Sequence, residues 1–281
     1  MNSNPTTTPN QSPITDHHSL LQADYHTHPQ GHRVQRYSAE LLQPWVDSAR
    51  TKGISDLAFT DHDRFHAGID FDQIDRLREA NPDVKIRSGI EWDNDPETSA
   101  AGREWIERNW ERLDFVLGSV HYLDQPDQMF DTIPDGAGQF VGRDPNEIYT
   151  DYFSRVRVMA ESGLVDCLAH LDLIKIHGHR PCGELAPLVE DTLDLLRDRN
   201  LAIELSTAGW RKPADELYPS DEIIRLTLDR GIPFTIASDA HSWAQLGENY
   251  DRLAQKIAQF GIREICVFDK HRRIKHSCSR V

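Results

Sequence analysis

The sequence is poor in cysteine, in cationic charge and in long apolar runs, and each shortage removes a class of protein. Its 281 residues hold 4 cysteines, Cys167, Cys182, Cys266 and Cys278. No two of them stand in the C-x-x-C spacing of a structural zinc site, so they read as reduced thiols of a cytoplasmic protein. Lysine and arginine together number 31 against 46 aspartates and glutamates, a net charge of −15. That balance speaks against nucleic acid and against an anionic membrane surface, both of which call for a basic face. An anionic small substrate would have to find local positive charge, such as a metal cluster. No apolar run approaches the roughly 18 residues of a membrane span. The first 20 residues, MNSNPTTTPNQSPITDHHSL, are polar and lack the apolar core of a signal segment. Residues 1–20 are therefore expected to form a disordered lead-in, with His17 and His18 solvated, and residues 21–281 a single domain.

What is present is a rhythm of short β-favouring runs and amphipathic segments. The strand candidates are LQADY, SDLAFT, VKIRSGI, DFVLGSV, VDCLA, LAIELS and PFTIAS. Helical patterns fall between most of them, for example over 38–52, 146–162, 184–199 and 220–230. Ser220 followed by Asp221 and Glu222 marks a helix start with acidic residues in its first turn. This alternation predicts an α/β fold in which a parallel sheet is covered by helices. Seven such units suit a closed (β/α) barrel one strand short of eight, and the length suits the about 250 residues of that architecture. An open doubly wound sheet is the rival, but no G-x-G-x-x-G follows the first strand candidate. The stretch DQPDQMFDTIPDGAGQFVGRDP, residues 124–145, breaks the rhythm and reads as a long functional loop.

Polar residues that carry chemistry gather where the strand candidates end. His26 and His28 follow the first, Asp61 and His62 the second, and Glu91 closes the third. His121 follows the fourth, His170 and Asp172 the fifth, and Asp239 and His241 the seventh. The sixth offers Glu204, Ser206 and Thr207. A single histidine at a strand end is more often a hydrogen-bonded structural residue than a ligand, but five strands ending in histidine point to convergence. The C-terminal rim of a parallel barrel is where active sites are built. His66, His177, His179, His271 and His276 fall outside the pattern, although His177 and His179 in KIHGHRP lie on a loop where they would reach substrate.

This set is too large for one tetrahedral ion. Nitrogen and oxygen donors without thiolate suit Zn, Mn or Fe. A carboxylate can bridge two ions, and Glu91, in the middle of the set, is the natural bridge. Such clusters activate a water and clamp an in-line displacement at phosphorus. Asp24, Asp61 and Asp172 each sit beside a candidate ligand and are expected to orient a histidine.

The stretches DYHTH, TDHD, GIE, GSVH, HLDLIK, ELSTAGWRKPADELYPS and GIPFTIASDAH, in this order between residues 23 and 268, resemble the PHP (polymerase and histidinol phosphatase) family. They are most similar to its stand-alone histidinol-phosphatase branch. The resemblance implies a distorted (β/α)7 TIM-like barrel holding three divalent metal ions. It implies that His26, His28, Glu91 and Asp239 hold one ion, Glu91, His121 and His170 a second, and His32, His62 and His241 a third. It implies hydrolysis of a small phosphate monoester, with histidinol phosphate as substrate. Glu91, Asp239, His241 and Asp172 are the residues expected to do the chemistry. Arg211, Lys212 and His179 are expected to bind substrate, Arg211 because its planar fork can hold two phosphate oxygens. The expected partner is a small phosphorylated substrate, with neither nucleic acid nor membrane, on a monomer or small homo-oligomer.

Rival readings share parts of this pattern. Another phosphate ester would use the same metals. An amidohydrolase-type C–N hydrolase also opens with H-x-H, but the resemblance there calls for a bridging lysine where this chain has Glu91. A non-catalytic metal-binding domain would not need so complete a ligand set.

Overall fold

The computed structural model describes residues 21–123, 129–132 and 135–278. The lead-in over 1–20, with His17 and His18, and parts of the 124–145 loop lie outside the described residues. Seven strands form one parallel sheet in sequential order: β1 Ala23–Asp24, β2 Asp56–Phe59, β3 Lys85–Asp93, β4 Phe115–Ser119, β5 Cys167–Leu168, β6 Ala202–Ser206 and β7 Phe234–Ala237. The sheet curls until its edges meet. The Tyr25 amide donates to the Ile236 carbonyl at 3.1 Å, the His28 amide to Ala240 at 2.8 Å and the Ala240 amide to His26 at 3.2 Å. The result is a nearly closed seven-stranded barrel, as the strand–helix alternation implied. Strands β2, β4, β6 and β7 are buried throughout, as expected when helices cover the outside.

The helices are α1 Ala39–Lys52, α2 Phe71–Ala80, α3 Ser99–Asn109, α4 Pro145–Glu161, α5 Ala186–Asp198, α6 Asp221–Asp229 and α7 Tyr250–Gln259. Local chemistry sets their ends. Ser38 accepts from the Leu41 amide at 3.3 Å to start α1, and Gly53, at φ 73, stops it. Asp144 caps α4 immediately before Pro145. Ser220 does precede α6, but its side chain makes no capping bond. The Asp172 carboxylate takes the Ser220 amide instead, at 2.9 Å.

A C-terminal antiparallel hairpin, β8 Glu264–Asp269 and β9 Arg272–Ser277, lay outside the expected strands. It plugs the N-terminal end of the barrel. Phe268 packs on Phe115, the first residue of β4, at 4.5 Å between ring centres, and receives the Tyr25 hydroxyl on its carbonyl at 3.0 Å. His271 at the hairpin tip lies flat on Trp110 and meets the Asp166 carboxylate at 2.8 Å, just before β5. With this end closed, the opposite, C-terminal rim is left to build a site. Among the described residues, no helix is long and apolar enough to cross a membrane, and all four cysteines are free.

Candidate metal centre

The strand ends deliver their side chains to one point. His26 and His28 lie two apart just past β1, so they share a face. His62 follows β2, Glu91 lies within β3, His121 follows β4, His170 follows β5, and Asp239 and His241 follow β7. Two of these residues turn in through the left-handed backbone region, His170 at φ 24 and Asp239 at φ 50. A non-glycine residue at positive φ is uncommon and costs free energy, and such strain collects at functional sites.

Glu91 is the hub. Its Oε2 lies 2.7 Å from His62 Nδ1, 3.2 Å from His26 Nε2 and 3.5 Å from His28 Nε2. Its Oε1 lies 3.3 Å from His170 Nε2 and 3.8 Å from His121 Nε2. Asp239 Oδ1 stands 3.2 Å from His28 Nε2 and 3.8 Å from His26 Nε2. Three overlapping groups have ligand atoms within 4.8 Å of one another: His26 with His28 and Glu91, Glu91 with His121 and His170, and His28 with His62 and His241. In the third group His28 stands where the resemblance put His32. The His32 side chain is exposed at the rim, its ring stacked 4.4 Å from that of His241.

The donor atoms fit a set of cations. His26 Nε2, His28 Nε2, His62 Nδ1, Glu91 Oε2 and His241 Nε2 are all buried without a hydrogen-bond partner. Leaving so many polar atoms unpaired would be costly unless something binds them. The other nitrogen of His26 is already committed, since Nδ1 lies 2.8 Å from Glu204 Oε2. His121 Nδ1 makes an ion-pair contact with Asp93 Oδ2 at 2.9 Å. These carboxylate–histidine pairs fix the ring so that Nε2 faces Glu91, as in metal sites.

Glu204 and Asp93 therefore do the orienting expected of Asp24, Asp61 and Asp172, which is a correction. Asp24 accepts from the Ser238 and Gly247 amides at 3.0 and 3.1 Å. Asp61 accepts from the Tyr37 hydroxyl at 2.7 Å and the Gln30 amide at 3.0 Å. Asp172 pairs with buried Lys175 at 2.9 Å. All three fasten loops at the rim. The signal for Asp93 was its place two residues after Glu91 on one strand, hence on the same face. Ser119 also donates to Glu91 Oε1 at 2.5 Å.

Electrostatics agree. Burial pushes the Glu91 carboxyl up, but His62 and His26 more than offset it, so it is held well below the usual carboxylate range. Asp239 is held down in the same way by His26 and His28, against burial. His241 is lowered to about 4, by burial first, and His28 is also pushed down by burial and by His241 and His62. Both shifts favour the neutral ring, the form that binds a metal. Burial opposes charge on His26 as well, yet Glu204 and Glu91 draw it well above its ordinary value. The pocket demands positive charge at that ring, and a divalent cation answers the same demand.

Above the cluster opens a cavity of about 670 Å³, lined by His32, Arg64, Met129, Asp131, Arg211, Lys212 and Tyr218 among others. Arg211 Nη2 donates to the carbonyls of Ser238 and Asp239 at 2.7 and 3.0 Å. Its Nη1 is buried without a partner. Arg64, which sequence reasoning did not single out, lies against Asp93 at 2.6 Å. Its signal was a cation within the TDHDR run after β2. His179 is stacked on Phe140 at 4.6 Å, away from the cavity wall. Asp172 faces a different cavity, with Lys175 and Arg180. Neither residue joins the cluster.

A parallel barrel with clustered histidines and carboxylates at its C-terminal rim defines a metal-binding barrel of the hydrolase type. Comparison with known proteins narrows the class. The family model described as the PHP domain matches residues 24–208. The probable histidinol-phosphatase of Deinococcus radiodurans is 32% identical over 250 residues, covering 82% of this chain and 91% of that protein. The chain belongs to the PHP family, in its stand-alone histidinol-phosphatase branch. The histidinol-phosphatase of Lactococcus lactis is 23% identical across 89% of this chain and 95% of that protein. A Lactococcus lactis histidinol phosphate phosphatase, solved with zinc, L-histidinol and phosphate, superposes with a TM-score of 0.68 at 21% identity. The match covers 91% of this chain and 100% of that one.

Proposed function

We propose that this protein is a metal-dependent phosphatase that hydrolyses histidinol phosphate to histidinol and inorganic phosphate, a step in histidine biosynthesis. The observation that carries the reading is Glu91, whose two oxygens each face a different group of histidines. The proposed cofactors are three divalent ions, of Zn, Mn or Fe. His26, His28, Glu91 and Asp239 would hold the first, and Glu91, His121 and His170 the second. His62 and His241 would hold the third together with His28 or His32. When bound, such ions supply Lewis acidity toward phosphoryl oxygens and lower the pKa of a water.

The remaining roles belong to the chain. Arg211 Nη1 and Lys212 face the cavity and bind the phosphoryl oxygens. Arg64 holds Asp93, which holds His121. Met129, Leu173 and Phe65 give the cavity apolar wall, which lowers the local dielectric and strengthens each charged contact. A reducing cytoplasm suits the four free thiols. The test is a panel of phosphate monoesters assayed on purified, metal-analysed protein. Histidinol phosphate is expected to give the highest kcat/KM. Turnover of a nucleotide or sugar phosphate at higher kcat/KM would replace the substrate, and loss of all hydrolysis with metal in place would sink the reading.

A further inference from the structure

Strand β6 is the one barrel strand whose end brings no histidine or carboxylate into the metal groups. It brings a tyrosine instead. Ser206, the last residue of β6, and Tyr218 exchange backbone hydrogen bonds at 2.8 and 3.1 Å, pinning Tyr218 to the rim. The intervening loop must pass close by to do this. A Cβ at Gly209 would collide with the Glu216 carbonyl, at 1.9 Å, and touch the Tyr218 ring, at 3.0 Å, so only glycine fits there. The ring is wedged between Lys175, whose Nζ lies 5.2 Å from its centre, and His170, whose ring centre lies 6.3 Å away.

Tyr218 is fully buried and forms part of the catalytic cavity wall, yet its hydroxyl has no hydrogen-bond partner. A buried tyrosine hydroxyl usually finds one. Tyr25, Tyr37, Tyr149 and Tyr250 all do, at 2.7–2.9 Å. An unpaired, rigidly held donor in a reaction cavity costs free energy in the resting protein unless a bound molecule accepts from it.

The wall offers the phosphoryl oxygens full positive charges, from Arg211 and Lys212. Of the neutral donors among its described residues, the Thr132 hydroxyl already donates to the Met129 carbonyl at 3.3 Å and the Gln245 side chain is held by the His241 amide at 3.0 Å, whereas the Tyr218 hydroxyl is buried and unpartnered and is left for the ester oxygen. That oxygen is a weak acceptor in the intact ester and becomes an alkoxide as its bond to phosphorus breaks. A fixed neutral donor binds the second state far better than the first, which is what accelerates a reaction.

We propose that the Tyr218 hydroxyl hydrogen-bonds to the ester oxygen of the substrate and protonates the leaving alkoxide. The step balances. Water oxygen forms a bond to phosphorus while the phosphorus–ester oxygen bond breaks and its electron pair stays on the ester oxygen. The phenol proton passes to that oxygen, giving the free alcohol. The proton released by the attacking water returns to the phenolate, so the products are alcohol and inorganic phosphate. Burial first, and then Asp172 and Asp131, hold the Tyr218 phenol well above the ordinary tyrosine value, so it is protonated and able to donate at neutral pH.

The inference rests on the phosphatase reading, and the test separates the two. Tyr218→Phe removes one unpartnered oxygen and keeps the ring. It is assayed on histidinol phosphate, on a second alkyl ester, O-phosphoserine, and on p-nitrophenyl phosphate, whose leaving group needs no proton. Metal content is measured alongside. For alkyl esters kcat/KM is expected to fall about 100-fold, within the range of general-acid contributions. For the aryl ester it should fall less than about threefold, with unchanged metal content. Equal losses on alkyl and aryl esters, or no loss on alkyl esters, overturn the role of Tyr218. In the unsubstituted enzyme, the solvent deuterium isotope effect on kcat/KM should be larger for the alkyl than for the aryl ester. The same effect on both also overturns it. Wild-type enzyme that is inert on histidinol phosphate but splits the other esters refutes the substrate, and leaves the Tyr218 comparison to be decided on O-phosphoserine.

Discussion

Glu204 Oε2 stands 2.8 Å from His26 Nδ1, and both side chains are fully buried. The pair settles which nitrogen of His26 points at Glu91, and so it acts on the cluster without entering it. Carboxylates in this position raise ligand basicity and fix ring orientation, and their loss typically costs about 10–100-fold in metal affinity. Glu204→Gln keeps the shape and removes the charge. Competition with a chelator should show metal affinity down by about tenfold or more, while circular dichroism reports an unchanged fold. Affinity equal to that of the unsubstituted protein would mean that Glu204 only fills space.

Glu91→Gln attacks the hub itself. A neutral amide in place of the bridge presents one oxygen and one N–H donor, so it cannot face histidine groups with both atoms. Activity is expected to fall by at least about 100-fold, in line with the weight of charge stabilisation in such sites. Elemental analysis should show at least one ion fewer per chain. A variant with full activity and full metal content would rule out bridging.

The fold was readable because its signals are local and repeated. Helices expected over 38–52, 146–162, 184–199 and 220–230 occupy Ala39–Lys52, Pro145–Glu161, Ala186–Asp198 and Asp221–Asp229. Strand β9 was not readable. Its sequence, RRIKHS, is charged and largely exposed, and it pairs only because the chain reverses at Lys270 and His271. Both adopt positive φ, 50 and 60, where turn chemistry usually demands glycine or asparagine. The convergence of the strand-end histidines was likewise readable from spacing, whereas the orienting carboxylates were not. Nearness in sequence misled there: Asp24 and Asp172, each two residues from a candidate ligand, are taken up by the Ser238 and Gly247 amides and by Lys175. Asp61 beside His62 faces Tyr37, while distant Glu204 meets His26. Contacts across 178 residues leave no mark in local pattern.

The barrel's lower plug carries a pH dependence of its own. Burial disfavours charge on His271, but the Asp166 carboxylate and the Trp110 carbonyl raise its pKa above the ordinary 6.5. A group whose folded pKa is raised lends stability in full below its unfolded pKa and loses it as pH climbs through the folded value. The melting-temperature gap between the wild type and His271→Gln should therefore be larger near about pH 6 than near about pH 9, bracketing the ordinary histidine value and a raised one. A gap that stays constant, or widens with pH, would show that the ring contributes by stacking on Trp110 alone.

Arg211 joins the substrate cavity to the segment after β7 that carries Asp239. Its Nη2 is spent on the carbonyls of Ser238 and Asp239, which leaves Nη1, buried and unpartnered, to meet an anion. The sequence suggested a two-pronged grip on phosphate. The structure leaves one clear prong, with the other hand holding β7 in place. A hydrogen bond to a charged group is worth about 1.5–3 kcal/mol, so Arg211→Ala should lower kcat/KM on a phosphate monoester by at least about tenfold. Inorganic phosphate should also inhibit the variant more weakly, because product and substrate share that contact. Metal content should hold, since Asp239 keeps its place through its own contact with His28 at 3.2 Å. Arg211→Lys restores charge but not the planar fork, and an intermediate kcat/KM is expected. Wild-type kcat/KM in Arg211→Ala would remove this residue from phosphate binding. Loss of metal together with activity would instead assign it to holding Asp239.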